Sequence, residues 1–237
     1  MIKIGVPSKG RLMEQTFDWF GARGIPMRQT GADREYAGVI DGMTGVQLVL
    51  LSAGEIPREL AAGRIHLGVT GSDLLCDKLA DWQMQVAELA LLGFGQADLI
   101  IAVPAVWVDV DTLDDLDAVA AAFRAAHGFR LRIATKYHRL VREFLTANDI
   151  ADYQLIDSQG ATEGTVKNLT AEAIADITST GETLRANHLK ILQNCVIHQS
   201  QATLYAARSA DWTHLAEPFA NLCARLNVAV PGGLNLT

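Results

Sequence analysis

The sequence predicts an α/β protein built as two lobes. Three observations carry this reading. Short apolar runs alternate with longer amphipathic ones through most of the 237 residues, which is the pattern of strands joined by helical crossovers in a parallel sheet. Four of the apolar runs end in loops of small, hydroxyl or basic residues: Pro7-Ser8-Lys9-Gly10-Arg11, Thr70-Gly71-Ser72-Asp73, Thr135-Lys136-Tyr137, and Thr178 to Thr183. Open α/β sheets bind ligands at the carboxyl ends of their strands, so these loops are expected to face a common cleft. Finally, Gly93 and Gly95 bracket Phe94 just before a new apolar run, a boundary signal near the middle of the chain.

In chain order, the short apolar runs place strands at 2–6, 46–51, 66–69, 99–103, 131–134, 153–156 and 173–177. The amphipathic runs between them place helices at 11–21, 56–62, 73–80, 112–126 and 137–147. A helix-like pattern over 210–228 closes the chain before Pro231-Gly232-Gly233. The return to the first lobe is expected within 189–195. The first lobe is therefore expected to hold residues 1–94 and 190–237, and the second 95–189. No internal repeat or low-complexity tract interrupts this order.

Composition narrows the setting. A hydrophobic content of 49% is ample for buried cores, and a formal net charge of −7 argues against nonspecific binding to nucleic acid or anionic membrane, both of which need basic surface. Cys76, Cys195 and Cys223 are far apart and odd in number, so they form neither a disulfide framework nor a zinc pattern. An apolar run begins at residue 2 with no signal-peptide layout, and no stretch approaches the roughly 20 apolar residues of a membrane span. A soluble protein of a reducing cytoplasm is expected.

The richest segment is Asp176-Ile177-Thr178-Ser179-Thr180-Gly181-Glu182-Thr183. Four hydroxyl side chains and one glycine fall in six positions after a buried-type strand. A phosphate cradle uses such residues: turn N–H groups converge on the anion, hydroxyls add donors, and glycine removes the Cβ that would block approach. Asp176 at its mouth suits ribose hydroxyls. An ordinary polar turn has the same composition, so both readings stand at this point.

Lys9 and Arg11 flank Gly10 at an expected helix start. Cations there do not help the helix, whose N-terminal N–H groups favour anions, so either an anionic ligand such as pyrophosphate explains them or they are solvated surface charges. Asp73, next to Ser72, suits the first turn of the following helix. Glu163 sits in a second small-residue loop, where it either meets ribose or magnesium or is simply solvated. Lys136 follows a strand end and either touches phosphate or faces water. Several chemistries are absent: the six histidines lack HxH or HExxH spacing, and no GxxxxGK[ST], strand-following GxGxxG or GxSxG occurs.

Four segments, Pro7-Ser8-Lys9-Gly10-Arg11-Leu12, Leu67-Gly68-Val69-Thr70-Gly71-Ser72-Asp73-Leu74, Arg132-Ile133-Ala134-Thr135-Lys136-Tyr137 and Asp176 through Asn187, together resemble ATP phosphoribosyltransferase, in the family's order and through nearly the whole chain. The resemblance implies two α/β lobes similar to type II periplasmic binding proteins, with the active site in the cleft between them. It also implies transfer of the phosphoribosyl group of phosphoribosyl pyrophosphate (PRPP) to ATP, the first step of histidine biosynthesis. The resemblance is to the short form, without a C-terminal regulatory domain. Such enzymes work with a regulatory subunit that looks like histidyl-tRNA synthetase, and a homodimer within a hetero-oligomer is expected.

By the same resemblance, Lys9, Arg11 and Asp176 are the catalytic residues. Glu163, Thr178, Ser179, Thr180, Gly181, Glu182 and Thr183 bind PRPP, and Arg34 and Asp73 bind ATP. Magnesium is the implied cofactor, with no ligand set assigned. One departure matters: many members carry an arginine where this chain has Ser52, with Arg58 six residues on as a stand-in. Two rivals remain, a solute-binding or sensor protein of the same fold, and a phosphoribosyltransferase for another base.

Overall fold

The computed structural model describes residues 1–30 and 37–236. Arg34, expected at the nucleotide, lies outside the described residues. The elements run β1 (Ile2–Pro7), α1 (Gly10–Gly21), β2 (Met27–Thr30), β3 (Ala37–Ile40), β4 (Val46–Leu51), α2 (Ile56–Ala61), β5 (Leu67–Gly71), α3 (Ser72–Lys78), α4 (Trp82–Gln85) and β6 (Val86–Leu91). They continue with β7 (Ala97–Pro104), α5 (Leu113–His127), β8 (Leu131–Thr135), α6 (His138–Ala147), β9 (Tyr153–Asp157), α7 (Gly164–Lys167), β10 (Ala173–Thr178), α8 (Glu182–Ala186) and β11 (Leu189–Ser200). The last two are β12 (Ala202–Ala207) and α9 (Ala216–Leu226). They form two compact units, Met1–Gly95 with Gln201–Thr237, and Gln96–Ser200.

The first unit is built on a seven-stranded sheet in the order β2-β3-β4-β1-β5-β12-β6. Only β4, β1 and β5 are parallel; β2, β3, β12 and β6 pair antiparallel with their neighbours. The expected parallel sheet is thus corrected to a mixed one. Residues 41–45 are too few for the helical crossover that parallel neighbours need, so β3 and β4 must run in opposite directions. Ile2, Ile4, Val6, Leu48, Leu67, Val69 and Leu204 are buried in this sheet, and Phe20, Trp212 and Phe219 pack in the same core. Trp212 Nε1–H donates to Ala207 O at 2.8 Å, so the indole is buried without orphaning its one donor.

The second unit carries a five-stranded sheet in the order β11-β7-β10-β8-β9. β10, β8 and β9 are parallel, and β7 runs antiparallel to both β10 and β11. The chain returns later than the 189–190 division read from sequence. β11 lies along β7 from Leu189 to Ser200, bulged between Ile191 and His198, and the first unit resumes at Gln201. α5 has a reciprocal start, with Asp115 N–H donating to Thr112 Oγ1 and Asp115 Oδ2 accepting from Thr112 N–H, the capping box that fixes a helix entry.

These topologies place the loops. In the first unit the parallel strands end together at Pro7, Leu51 and Gly71; Pro7 is opposite Leu51, and Ser8 N–H donates to Leu51 O at 2.8 Å. In the second they end together at Thr135, Asp157 and Thr178, where Thr135 is opposite Asp157 and Ser158 N–H donates to Thr135 O at 3.1 Å.

Candidate active site

The hydroxyl-rich run closes β10 and opens α8. Thr178 is the last residue of the strand, and its Oγ1 accepts from Gly181 N–H at 2.9 Å. Thr180 Oγ1 accepts from Glu182 N–H at 3.3 Å. Two hydroxyls thus fold the turn onto itself. Gly181 is buried with φ +71°, and a Cβ there would sit 3.0 Å from Arg185 Nη1 and 3.7 Å from Ile191 Cδ1. That left-handed backbone favours glycine. Ser179, Thr180, Glu182 and Thr183 are exposed, so the turn presents hydroxyls outward from a tied base.

Asp176 stands on β10 two residues before the turn. Its Oδ1 accepts from Ile177 N–H at 2.8 Å and lies 3.9 Å from Lys136 Nζ, with only 17% of the aspartate side chain exposed. Lys136 follows β8 directly, so adjacent parallel strands bring this pair together. Sequence reasoning placed both residues at strand ends without pairing them; the available signal was that both follow buried runs. Beneath Lys136, Tyr137 N–H donates to buried Thr135 Oγ1 at 3.0 Å, which fixes the chain where it leaves the sheet. Glu163 is half-buried immediately before α7. At the start of α6, His138 Nε2 lies 3.1 Å from Oδ1 of Asp157, the last residue of the neighbouring strand β9.

In the first unit, Lys9 and Arg11 are both exposed. Lys9 precedes α1 in extended conformation, no side chain caps the helix, and its first turn holds no acid. Gly10 between them has φ +77°. This helix start therefore carries cations where an acidic residue is the stabilising choice. Ser52 directly follows β4, and both its N–H and its hydroxyl donate to Glu55 Oε2, at 2.9 and 2.7 Å. Those bonds hold the Glu55 carboxyl below its ordinary range. Arg58 lies within α2 and is exposed.

Asp73 is only 4% exposed, in the first turn of α3. Tyr205, its phenol pushed up chiefly by burial, feels the Asp73 carboxylate. Asp73 therefore offers a ligand little surface. Among the described residues, no three His, Cys, Asp or Glu side chains converge as a metal cage.

A family model for ATP phosphoribosyltransferase (HisG) matches residues 52–228. An ATP phosphoribosyltransferase of Cereibacter sphaeroides is 78% identical over 233 residues, covering 98% of this chain and 99% of the relative. The chain belongs to the ATP phosphoribosyltransferase family. A Bradyrhizobium member is 49% identical over 210 residues, and the match spans 89% of this chain and 65% of that longer relative. Among solved structures, the ATP phosphoribosyl transferase (HisG:HisZ) complex from Thermotoga maritima superposes with a TM-score of 0.69 at 19% identity, covering 96% of this chain and 97% of the other. The substrate-binding protein of an amino acid ABC transporter gives 0.53 at 13% identity, covering 95% and 89%. At these identities the likeness is one of fold, and it is the periplasmic-binding-protein fold expected from the sequence.

Proposed function

We propose that this chain joins N1 of the adenine of ATP to C1 of the ribose of PRPP, releasing pyrophosphate and forming phosphoribosyl-ATP, the first step of histidine biosynthesis. The observation that carries the reading is the run from Asp176 to Thr183 at the carboxyl end of β10, in a chain of this family. Its exposed hydroxyls and tied glycine turn suit the 5′-phosphate of PRPP. Asp176, held by Ile177 N–H and beside Lys136, suits the ribose, with Glu163 assisting.

The bond from C1 to pyrophosphate breaks substantially before the bond to N1 forms, so positive charge develops on the sugar and negative charge on the leaving group. Asp176 faces the first charge; Lys9 and Arg11 take up the second. Arg34 and Asp73 belong to the ATP side of the reaction. Asp73 acts there through the α3 turn it occupies, given its burial.

Magnesium binds proteins through one or two carboxylates plus substrate phosphates and keeps several waters. Asp176 and Glu163 fit that modest requirement, and when bound the ion neutralises charge on pyrophosphate. We infer a homodimer working with a histidyl-tRNA-synthetase-like regulatory subunit in the cytoplasm. The Thermotoga maritima relative was solved as a complex with HisZ, and no helix of the described residues is long and apolar enough to cross a membrane.

Incubation with ATP, PRPP and magnesium, with and without the partner, tests this. Phosphoribosyl-ATP detected by mass is the expected product. Tight PRPP binding with no pyrophosphate released, even with the partner present, would favour a binding module instead. Product from another base but not from ATP would favour a different phosphoribosyltransferase.

A further inference from the structure

Between Asp117 and Glu143 the sequence carries six cations, Arg124, Arg130, Arg132, Lys136, Arg139 and Arg142, and no acid, in a chain of net charge −7. Four of them meet their own carboxylates: Arg124 with Asp152, Arg132 with Glu172, Lys136 with Asp176, and Arg139 with Glu143. Arg130 reaches Asp152 only at 4.0 Å, on the oxygen already taken by Arg124. Arg142 makes no ion pair among the described residues and is exposed.

These two weakly compensated guanidinium groups line one cavity of about 530 Å³. The cavity lies wholly in the second unit, at the amino ends of β8 and β9 and beside the last turns of α6. It is therefore at the opposite end of the strands from Thr135 and Thr178. Ile150 and Leu155 give it apolar wall, Tyr153 adds a hydroxyl-bearing ring, and Asp149 contributes one negative charge. Its size falls within the range of small-molecule sites, and Thr146 and Gln154 make the lining more polar than apolar.

We propose that this cavity binds a small organic anion with one carboxylate or phosphate group, held between Arg130 and Arg142, and with an apolar body against Ile150 and Leu155. Guanidinium forks match carboxylate and phosphate oxygens in pairs. The charged lining groups, two arginines less one aspartate, sum to +1. That balance suits one anionic group and opposes a polyanion such as PRPP or ATP. The site is thus separate from the loops given to the substrates.

The test is titration of the full-length protein with benzoate and with phenyl phosphate, following the δ-methyl NMR signals of Ile150 and Leu155. Saturable shifts with one or both probes are expected, and a response to only one fixes the head group. Arg142→Gln should weaken the binding about tenfold. Arg139→Gln, at a residue already paired with Glu143 on the same helix, should leave it unchanged. The methyl spectrum itself reports whether each variant is folded. Absence of saturable shifts with either probe, or equal affinity in Arg142→Gln and the unaltered protein, would overturn the proposal.

Discussion

The backbone N–H of Gly181 donates to Thr178 Oγ1 at 2.9 Å. This bond closes the turn given to the PRPP 5′-phosphate, and it makes a threonine methyl and a threonine hydroxyl separable in their effects. Thr178→Val keeps the branched shape and removes the acceptor. The N–H of buried Gly181 is then left without its partner, at a cost of about 1–3 kcal/mol. The KM for PRPP is expected to rise about tenfold or more, and Thr178→Ser, which keeps the oxygen, should restore it. Gly181→Ala forces a Cβ onto a left-handed backbone and should cost a further ~1 kcal/mol of stability. Steady-state kinetics in PRPP decide the matter: an unchanged KM in Thr178→Val would separate this turn from PRPP binding.

The pairing of Asp176 with Lys136 yields a second prediction. Asp176→Asn preserves an oxygen for Ile177 N–H while deleting the charge that would face a developing cation on the sugar. A fall in kcat of about 10²-fold is expected, the scale of losing one preorganised electrostatic partner, with a nearly unchanged melting temperature. Pyrophosphate release at saturating ATP and PRPP is the measurement. Turnover matching the unaltered enzyme would mean that the carboxylate charge has no part in the chemistry.

How much of this was legible in the sequence follows from what each signal depends on. Strands such as Ile2–Pro7 and Ala173–Thr178 were readable because they are buried, apolar and short. β12 (Ala202–Ala207) was missed because small residues such as Ala202, Ala206 and Ala207 carry weak strand propensity, and only burial against β5 and β6 fixes them. The bulge in β11 breaks the alternation by which a strand is recognised, so 189–195 reads as a boundary. The glycine and hydroxyl pattern at 178–183 marked a turn, whereas the contact of Lys136 with Asp176 depends on which strands become neighbours, and no local pattern states that. Burial of Asp73 is hidden for the same reason, since it depends on what packs over the first turn of α3 rather than on the residues beside it in sequence.

Arg132 and Glu172 make the third prediction, one about stability. Arg132 gives its backbone N–H at 2.8 Å and Nε at 3.1 Å to Glu172 Oε2, and Nη2 at 2.5 Å to Oε1. The pair joins the start of β8 to the residue just before β10, beneath the candidate site. Burial pushes the Glu172 carboxyl up, but the Arg132 bonds outweigh it and the carboxyl sits below its ordinary value. Its contribution is therefore complete above that ordinary value and is lost as pH falls through the lower, folded one. Glu172→Ala should cost about 2 kcal/mol in urea denaturation. Arg132→Lys should destabilise as well, because an ammonium cannot reproduce the guanidinium fork. Unaltered midpoints in both variants would show that the pair adds nothing to stability.

His66 carries the last prediction. Its Nδ1 accepts from Lys3 N–H at 3.2 Å, its Nε2 lies 3.0 Å from Asp211 O, and its ring meets Trp212 edge-on with centroids 5.1 Å apart. With Nδ1 accepting, Nε2–H is the donor to Asp211 O, so the neutral ring satisfies both neighbours in one tautomer. Protonation would put a hydrogen on Nδ1 facing the Lys3 N–H and break that bond. Burial lowers the His66 pKa from the ordinary 6.5; the bond to Asp211 O opposes this, while the N-terminal amine and Lys3 add to the lowering. The unfolded chain therefore binds a proton before the folded one does, so this group's stabilisation is complete above pH 6.5 and erodes as pH falls from there toward the folded value. Melting temperatures measured from neutral pH down to about pH 5 should decline more steeply in the unaltered protein than in His66→Gln. The glutamine variant is expected to be less stable at neutral pH, so the difference between the two should narrow on acidification. Parallel curves across the whole range would mean that His66 titrates alike in both states, and that burial against Trp212 exerts no hold on its proton.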